Sequence, residues 1–370
     1  MNPLQELIKF EQSFWVDYIL RSLITSGELD RHIKEDGVRG VTSNPAIFMK
    51  AIADTDEYKE TINSLSPQYK NAKSLYEQLA IQDIQGAADA LRSVYDGSQK
   101  QDGYVSLEVS PHLARDTDGT LDEARRLWQA VAKENLMIKV PATPEGIPAI
   151  EQLISEGINV NVTLLFAQDA YERVARAYIA GLEKRSSQGQ PLDHVASVAS
   201  FFISRIDSAI DKLLEEKLSA AGSSDEKSLL KSLMGKVAIA NAKLTYQRYG
   251  EFFNGSQWRA LADKGAQTQR ILWASTSTKN PDYRDVIYIE ELIGPQTVNT
   301  IPPATAEAFR DHGKLRESLT EGVAAAGEIM EQLEPAGISM KAVTDRLLDE
   351  GVDIFAVAFD QLLDAVEKAR

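Results

Sequence analysis

The chain has 370 residues, 43% of them hydrophobic, which suits one large barrel or two average domains with a sizeable core. A net charge of −15 repels polyanions and anionic membranes at long range, so nucleic acid and membrane partners are set aside and an anionic substrate needs a local cationic pocket. The absence of cysteine removes thiol chemistry, disulfides and thiolate metal sites together.

Taken in order, Met1–Gln12 reads as a lead-in helix. It is charged and lacks an apolar core of signal-peptide length, and no later run approaches a membrane span, so a soluble cytoplasmic protein is expected. Eight short strands follow, at Ser13–Asp17, Gly40–Asn44, Tyr104–Ser110, Leu136–Pro141, Ile158–Leu165, His194–Phe202, Arg270–Ser275 and Thr297–Pro302. Helical stretches separate them, and eight βα units in a row predict a single (β/α)8 barrel spanning residues 1–370. The length beyond a bare barrel of ~250 residues has visible homes: a helical insertion at Ile47–Gly103, a helical excursion from Ile206 to Lys264, and a helical tail at Thr305–Arg370. Lys184–Gln190 and Ser219–Lys227, charged and serine-rich, read as surface loops.

Some motifs lead nowhere. His32, His112, His194 and His312 share no helical or ribbon spacing, so no histidine metal site is expected. Asp116-Thr117-Asp118-Gly119 places its glycine too early for an EF-hand, and Thr120 with Glu123 reads better as a capping box. The triplets at Asn161 and Asn254 match a glycosylation pattern too short to carry weight without a secretory route.

The strand patterns carry more. A structural barrel strand buried on both faces should be continuously apolar, yet Ile158, Val160 and Val162 alternate with Asn159, Asn161 and Thr163, and Val105, Leu107 and Val109 with Ser106, Glu108 and Ser110. With the apolar faces on the surrounding helices, the polar ones point into the lumen, where they cost free energy unless hydrogen-bonded. Either they satisfy one another or they form a site. Barrels of this kind place their chemistry at the C-terminal strand ends. Asp17, Asn44, Glu108, Lys139, Asn161 and Ser200 all fall there. Lys139 sits among Met137, Ile138 and Val140, where it either snorkels to solvent or sheds its proton to become a nucleophile. Together these residues outline a lysine-centred barrel enzyme.

The segments Gly40–Phe48 (GVTSNPAIF), Val105–Pro111 (VSLEVSP), Asn135–Thr143 (NLMIKVPAT), Gly157–Phe166 (GINVNVTLLF) and Ile271–Pro281 (ILWASTSTKNP) resemble the signature segments of transaldolases of the longer bacterial group. The resemblance covers nearly the whole chain in the expected order. It implies a class I, Schiff-base (β/α)8 enzyme of the non-oxidative pentose phosphate pathway, with no cofactor and with sugar phosphates as partners. Such enzymes move a dihydroxyacetone unit from a ketose phosphate to an aldose phosphate.

By resemblance, Lys139 takes the place of the Schiff-base lysine and Glu108 that of the carboxylate acting through a bound water. Asp17 matches the acid/base at the bond that breaks, and Thr163 the threonine that positions the water. Asn44, Asn161 and Ser200 match the groups that hold substrate hydroxyls. Arg205 falls on the family's phosphate-binding arginine, with a fork suited to phosphate oxygens. Ser275 and Lys279 lie after the seventh strand, Lys279 where shorter members carry arginine, and Phe201 and Ser204 replace their proline and glycine. Lys279 is either the second phosphate cation or an ordinary surface lysine. Three other readings are carried forward: a fructose-6-phosphate aldolase-like lyase, a silent phosphosugar-binding barrel, and a metal-dependent aldolase, the last opposed by the scattered histidines. A monomer and a homodimer both fit the sequence.

Overall fold

The computed structural model describes residues 2–370. Its centre is a closed, all-parallel barrel of eight strands: β1 (Gln12–Asp17), β2 (Gly40–Thr42), β3 (Tyr104–Glu108), β4 (Leu136–Pro141), β5 (Val160–Leu165), β6 (Ser197–Phe202), β7 (Arg270–Ala274) and β8 (Thr297–Ile301). Each strand pairs with its sequence neighbours, and β1 closes the ring on β8 from Gln12↔Thr297 to Val16↔Ile301. Apolar side chains such as Val105, Leu107, Ile138, Val140, Val160 and Val162 are buried between the barrel and its helices. This layer supplies the main hydrophobic driving force.

The floor of the lumen is polar but satisfied. Asp102, just before β3, accepts from Ser13 Oγ (2.8 Å), Trp15 Nε1 (3.1 Å), Arg39 Nε (2.7 Å) and Arg270 Nη2 (2.8 Å). Burial alone would raise this carboxyl; Arg270 and Arg39 overcome it and hold Asp102 at about 2. The N-terminal end is thus plugged, leaving the C-terminal end as the open mouth. Asn159 is a structural polar residue of the same kind. Its amide donates to the Glu134 and Leu136 carbonyls and accepts from Ala196 N–H, tying three strand entrances together.

Several boundaries differ from the sequence expectation. The lead-in is a single turn, Pro3–Glu6, then a 3-10 turn Leu7–Phe10, and Gln12 already belongs to β1; Met1 lies outside the described residues. β2 stops at Thr42 because Asn44 caps the helix Pro45–Ala53, its Oδ1 accepting from Ile47 N–H at 3.0 Å. The first half of Lys184–Gln190 is the last turn of helix Gln168–Ser187, where basic side chains favour the helix C-terminus. Ser219–Lys227 is mostly helical too, because Ser223 caps the helix Ser224–Leu233. No Thr120 capping box forms. Asp116 caps the helix Thr117–Val131 instead, and Glu123 reaches Ser110 N–H.

The insertion after β2 holds the helices Pro45–Ala53, Lys59–Leu65, Ala72–Ala90 and Arg92–Gly97. The C-terminal helix Met340–Ala369 turns a buried stripe of Val343, Leu347, Gly351, Phe355, Phe359, Leu362 and Val366 inward at helical spacing. It packs on Pro45–Ala53 and on β5. Leu164, at a register shift in β5, adopts a left-handed φ of 60°. A Cβ on Gly351 would stand 2.9 Å from the Leu164 side chain, so glycine is what lets the helix lie close over the barrel mouth. Among the described residues no helix is long and apolar enough to cross a membrane.

Candidate active site

Strand register places the central side chains. Lys139 pairs with Glu108 on one side and Asn161 on the other, so three adjacent strands present glutamate, lysine and asparagine in one row. Lys139 is 6% exposed. Its Nζ lies 3.2 Å from Glu108 Oε2, donates to the Ser43 carbonyl at 3.0 Å, and stands 5.9 Å from the centre of the Phe355 ring. The Glu108 contact is an ion pair without hydrogen-bond alignment, and Oε2 has no hydrogen-bond partner among the described residues. The snorkelling alternative for Lys139 does not hold, since its ammonium end stays inside the mouth.

Asn161 is held from both sides: its Nδ2 donates to Ser106 Oγ at 3.0 Å and its Oδ1 accepts from Ser200 Oγ at 2.6 Å. Thr163, two residues on, is fully buried, and its hydroxyl has no hydrogen-bond partner among the described residues. An unpaired buried hydroxyl calls for an explanation, which for Thr163, on the wall of the cavity at the barrel mouth, a reacting molecule would supply. Across the mouth, Asp17 Oδ1 accepts from Thr42 Oγ1 at 2.7 Å, and that hydroxyl stands 2.6 Å from Thr300 Oγ1. Burial raises Asp17, opposed by the Thr42 hydrogen bond and the Lys139 charge. Burial also raises Glu108, opposed by Lys139 and reinforced by Asp17. Two carboxyls displaced toward neutrality beside a lysine are suited to taking and returning protons.

At the far end of the mouth, Arg205 opens the helix Ser204–Ala220, its guanidinium 5.5 Å from the ring centre of Phe202 and 6.0 Å from that of Phe355. It forms no hydrogen bond or ion pair among the described residues, and burial lowers its pKa. Ser275, with a left-handed φ of 56°, stands with Oγ 2.9 Å from Ser204 Oγ. Lys279 is exposed on the same loop, and its Nζ donates to Ser277 Oγ at 2.7 Å.

A cavity of about 180 Å3 gathers Asp17, Asn44, Lys139, Asn161, Thr163, Ser200, Arg205, Ser275 and Lys279. Glu108 stands behind Lys139 and does not face this cavity. A larger cleft, about 710 Å3, lies outside the barrel near Phe14, His32 and Arg310, and holds none of these residues. Sequence reasoning missed Thr42, Ser277, Thr300, Phe202 and Phe355, all of which face the cavity.

A family model described as Transaldolase/Fructose-6-phosphate aldolase matches residues 14–366. The chain belongs to this transaldolase/fructose-6-phosphate aldolase family. It is 48% identical over 369 residues to a protein described as Transaldolase from Trichodesmium erythraeum (strain IMS101), covering 99% of this chain and 97% of that one. It is 49% identical over 376 residues to Transaldolase 2 of Nostoc sp. (strain PCC 7120), with the same coverage. A Transaldolase from Thiobacillus denitrificans is 46% identical over 363 residues, 98% of this chain and 99% of its own. The family match starts within β1 and ends in the last helix, so it takes in every strand end around the cavity as well as Phe355.

Proposed function

We propose that the chain is a transaldolase, moving a dihydroxyacetone unit from sedoheptulose 7-phosphate or fructose 6-phosphate to glyceraldehyde 3-phosphate or erythrose 4-phosphate through a Schiff base on Lys139, in the non-oxidative pentose phosphate pathway. The observation that carries this reading is that Lys139, on the wall of a polar cavity, has Glu108 Oε2 3.2 Å from its Nζ on the side away from the cavity. The full-length similarity to proteins described as transaldolases supports it.

In this reading Glu108 accepts the ammonium proton, and the free amine attacks the ketose carbonyl to give a carbinolamine. Glu108 then protonates the departing hydroxyl through a water held by Thr163, leaving an iminium ion. The iminium withdraws electrons while Asp17 takes the neighbouring hydroxyl proton. The carbon–carbon bond breaks, the aldose phosphate leaves, and an enamine remains. Asn44 has Oδ1 committed to its helix cap, so Nδ2 is its group for the substrate. Asn161 and Ser200 hold the three-carbon unit alongside it. The incoming aldehyde accepts the enamine carbon, Asp17 returns its proton to the new hydroxyl, and hydrolysis frees Lys139.

Arg205, Ser275 and Lys279 receive the phosphate, a role that fits an unpaired guanidinium at the rim of an acidic protein. No cofactor enters the scheme. The whole chain serves as one domain, because its last helix lines the cavity. A cytoplasmic setting is part of the same reading, in keeping with the sugar phosphates it acts on.

Incubation with fructose 6-phosphate and erythrose 4-phosphate tests the reading. Formation of sedoheptulose 7-phosphate and glyceraldehyde 3-phosphate is expected. Steady release of free dihydroxyacetone would favour the lyase instead, and binding without turnover the silent barrel.

A further inference from the structure

The two halves of the proposed phosphate end come from different strands. Helix Ser204–Ala220, after β6, carries Arg205; the loop after β7 carries Ser277 and Lys279. Their backbones are hydrogen-bonded at the root, where Ile203 N–H donates to the Ala274 carbonyl and Ser204 N–H to the Ser275 carbonyl, both at 3.0 Å. Beyond that a cleft of about 200 Å3 opens between helix and loop, with Lys279 on the wall it shares with the substrate cavity.

Two hydrogen bonds cross that cleft. Tyr283 Oη donates to Asp211 Oδ2 and Tyr288 Oη to Asp207 Oδ2, each at 2.8 Å. The opposite carboxylate oxygens are held in turn, Asp211 Oδ1 by Gly235 N–H at 3.0 Å and Asp207 Oδ1 by Ala238 N–H at 2.7 Å. Gly235 has a left-handed φ of 65°, and a Cβ there would stand 2.6 Å from the Tyr283 ring, so the backbone leaves the space the phenol occupies. Asp207 and Asp211, one helical turn apart, share a face toward the loop, while Arg205, two residues before Asp207, is turned away from them. One helix therefore directs its arginine to the cavity and anchors the opposite loop with its aspartates.

We propose that the Tyr283–Asp211 and Tyr288–Asp207 pairs are positioning elements that hold Ser277 and Lys279 at a fixed distance from Arg205, and so set the selectivity of the site for phosphorylated sugars. The loop is also held on its other side, by Thr276 Oγ1 to Asn299 Oδ1 at 3.1 Å, Arg284 to the His312 carbonyl at 2.8 Å and His312 Nε2 to Asp285 Oδ1 at 3.0 Å, but across the cleft these two contacts are what tie it to the arginine-bearing helix. Loss of either lets Lys279 move away from Arg205 without disturbing Lys139, Glu108 or Asp17. This inference rests on the phosphate-binding role given above to Arg205 and Lys279.

The test compares kcat and KM of wild type, Tyr283→Phe, Tyr288→Phe and Arg205→Ala with fructose 6-phosphate and with unphosphorylated fructose, erythrose 4-phosphate being the acceptor. Tyr283 is only half-buried, so its phenylalanine variant keeps the fold; a thermal melt of each variant checks this. Each tyrosine variant is expected to raise KM for fructose 6-phosphate about fivefold, the scale of one typical lost hydrogen bond, with kcat nearly unchanged and no change for fructose. Equal effects on both sugars, or a lowered melting temperature with unchanged kinetics, would overturn the proposal. Should Arg205→Ala discriminate between the sugars while the tyrosine variants do not, the positioning idea alone falls. Should Arg205→Ala fail to discriminate, the phosphate reading falls and takes this inference with it.

Discussion

The Phe355 ring, carried by the last helix, lies 5.9 Å from Lys139 Nζ and 6.0 Å from Arg205 Cζ, touching both the nucleophile end and the phosphate end of one cavity. A ring face near two cations attracts each modestly and keeps water off both. Phe355→Ala is therefore expected to lower kcat/KM by about tenfold, with Phe355→Leu recovering most of it, because occupied volume matters more here than the ring quadrupole. Steady-state kinetics of the two variants check the order. Equal activity in both variants and wild type would show that the last helix does not shape the site.

Glu108→Gln keeps the shape of the side chain and removes its proton affinity. Imine formation is expected to slow by ~10²–10³, the range for a positioned acid–base group. A stopped-flow trace of adduct formation reads this directly, and the acid limb that Glu108 gives the rate in wild type should disappear.

Asp17 predicts a trade between stability and activity. Its carboxyl is raised in the folded protein, chiefly by burial. The folded state therefore holds this proton more tightly than the unfolded chain, and stability falls as pH rises through the folded pKa. Asp17→Asn keeps an acceptor for Thr42 Oγ1 and removes the buried charge. Denaturant titrations should find this variant more stable than wild type at pH 7, with the advantage gone below the unfolded value of 3.8, while turnover collapses.

Asp102 has the opposite sign. Held at about 2 against an ordinary 3.8, it contributes stability that is complete above the ordinary value and is lost as pH falls through about 2. The linked amount is on the order of 2 kcal/mol. Asp102→Asn strands Arg39 and Arg270 without their carboxylate and should cost ~3–5 kcal/mol at neutral pH, measurable as a shift in the urea midpoint.

The barrel and the lumen-facing part of the candidate site were legible because strand periodicity carries both. Alternation in β3 and β5 named the lumen-facing Glu108, Asn161 and Thr163, and the run around Lys139 marked the strand between them. What stayed hidden depends on contacts distant in sequence. Phe355 lies on an ordinary amphipathic stripe, and nothing in the order of residues says that this helix crosses the barrel mouth. Thr42 and Thr300 share the lumen face with Asp17, yet single threonines near strand ends read equally well as turns. Asn44 shows how two readings coexist: its oxygen caps a helix, and the same residue lines the cavity. The loops expected at Lys184–Gln190 and Ser219–Lys227 failed for a different reason. Charged, serine-rich sequence suits helix ends as well as loops, and the caps decided between them.

The most direct test of the central claim is intact-mass analysis after borohydride reduction in the presence of fructose 6-phosphate, followed by peptide mapping, on wild type and Lys139→Arg. A three-carbon adduct on the Lys139 peptide of wild type is predicted. Lys139→Arg should melt like wild type yet show neither adduct nor turnover, since a guanidinium stays protonated and cannot form the imine. An adduct on another lysine, or turnover by Lys139→Arg, would contradict the account.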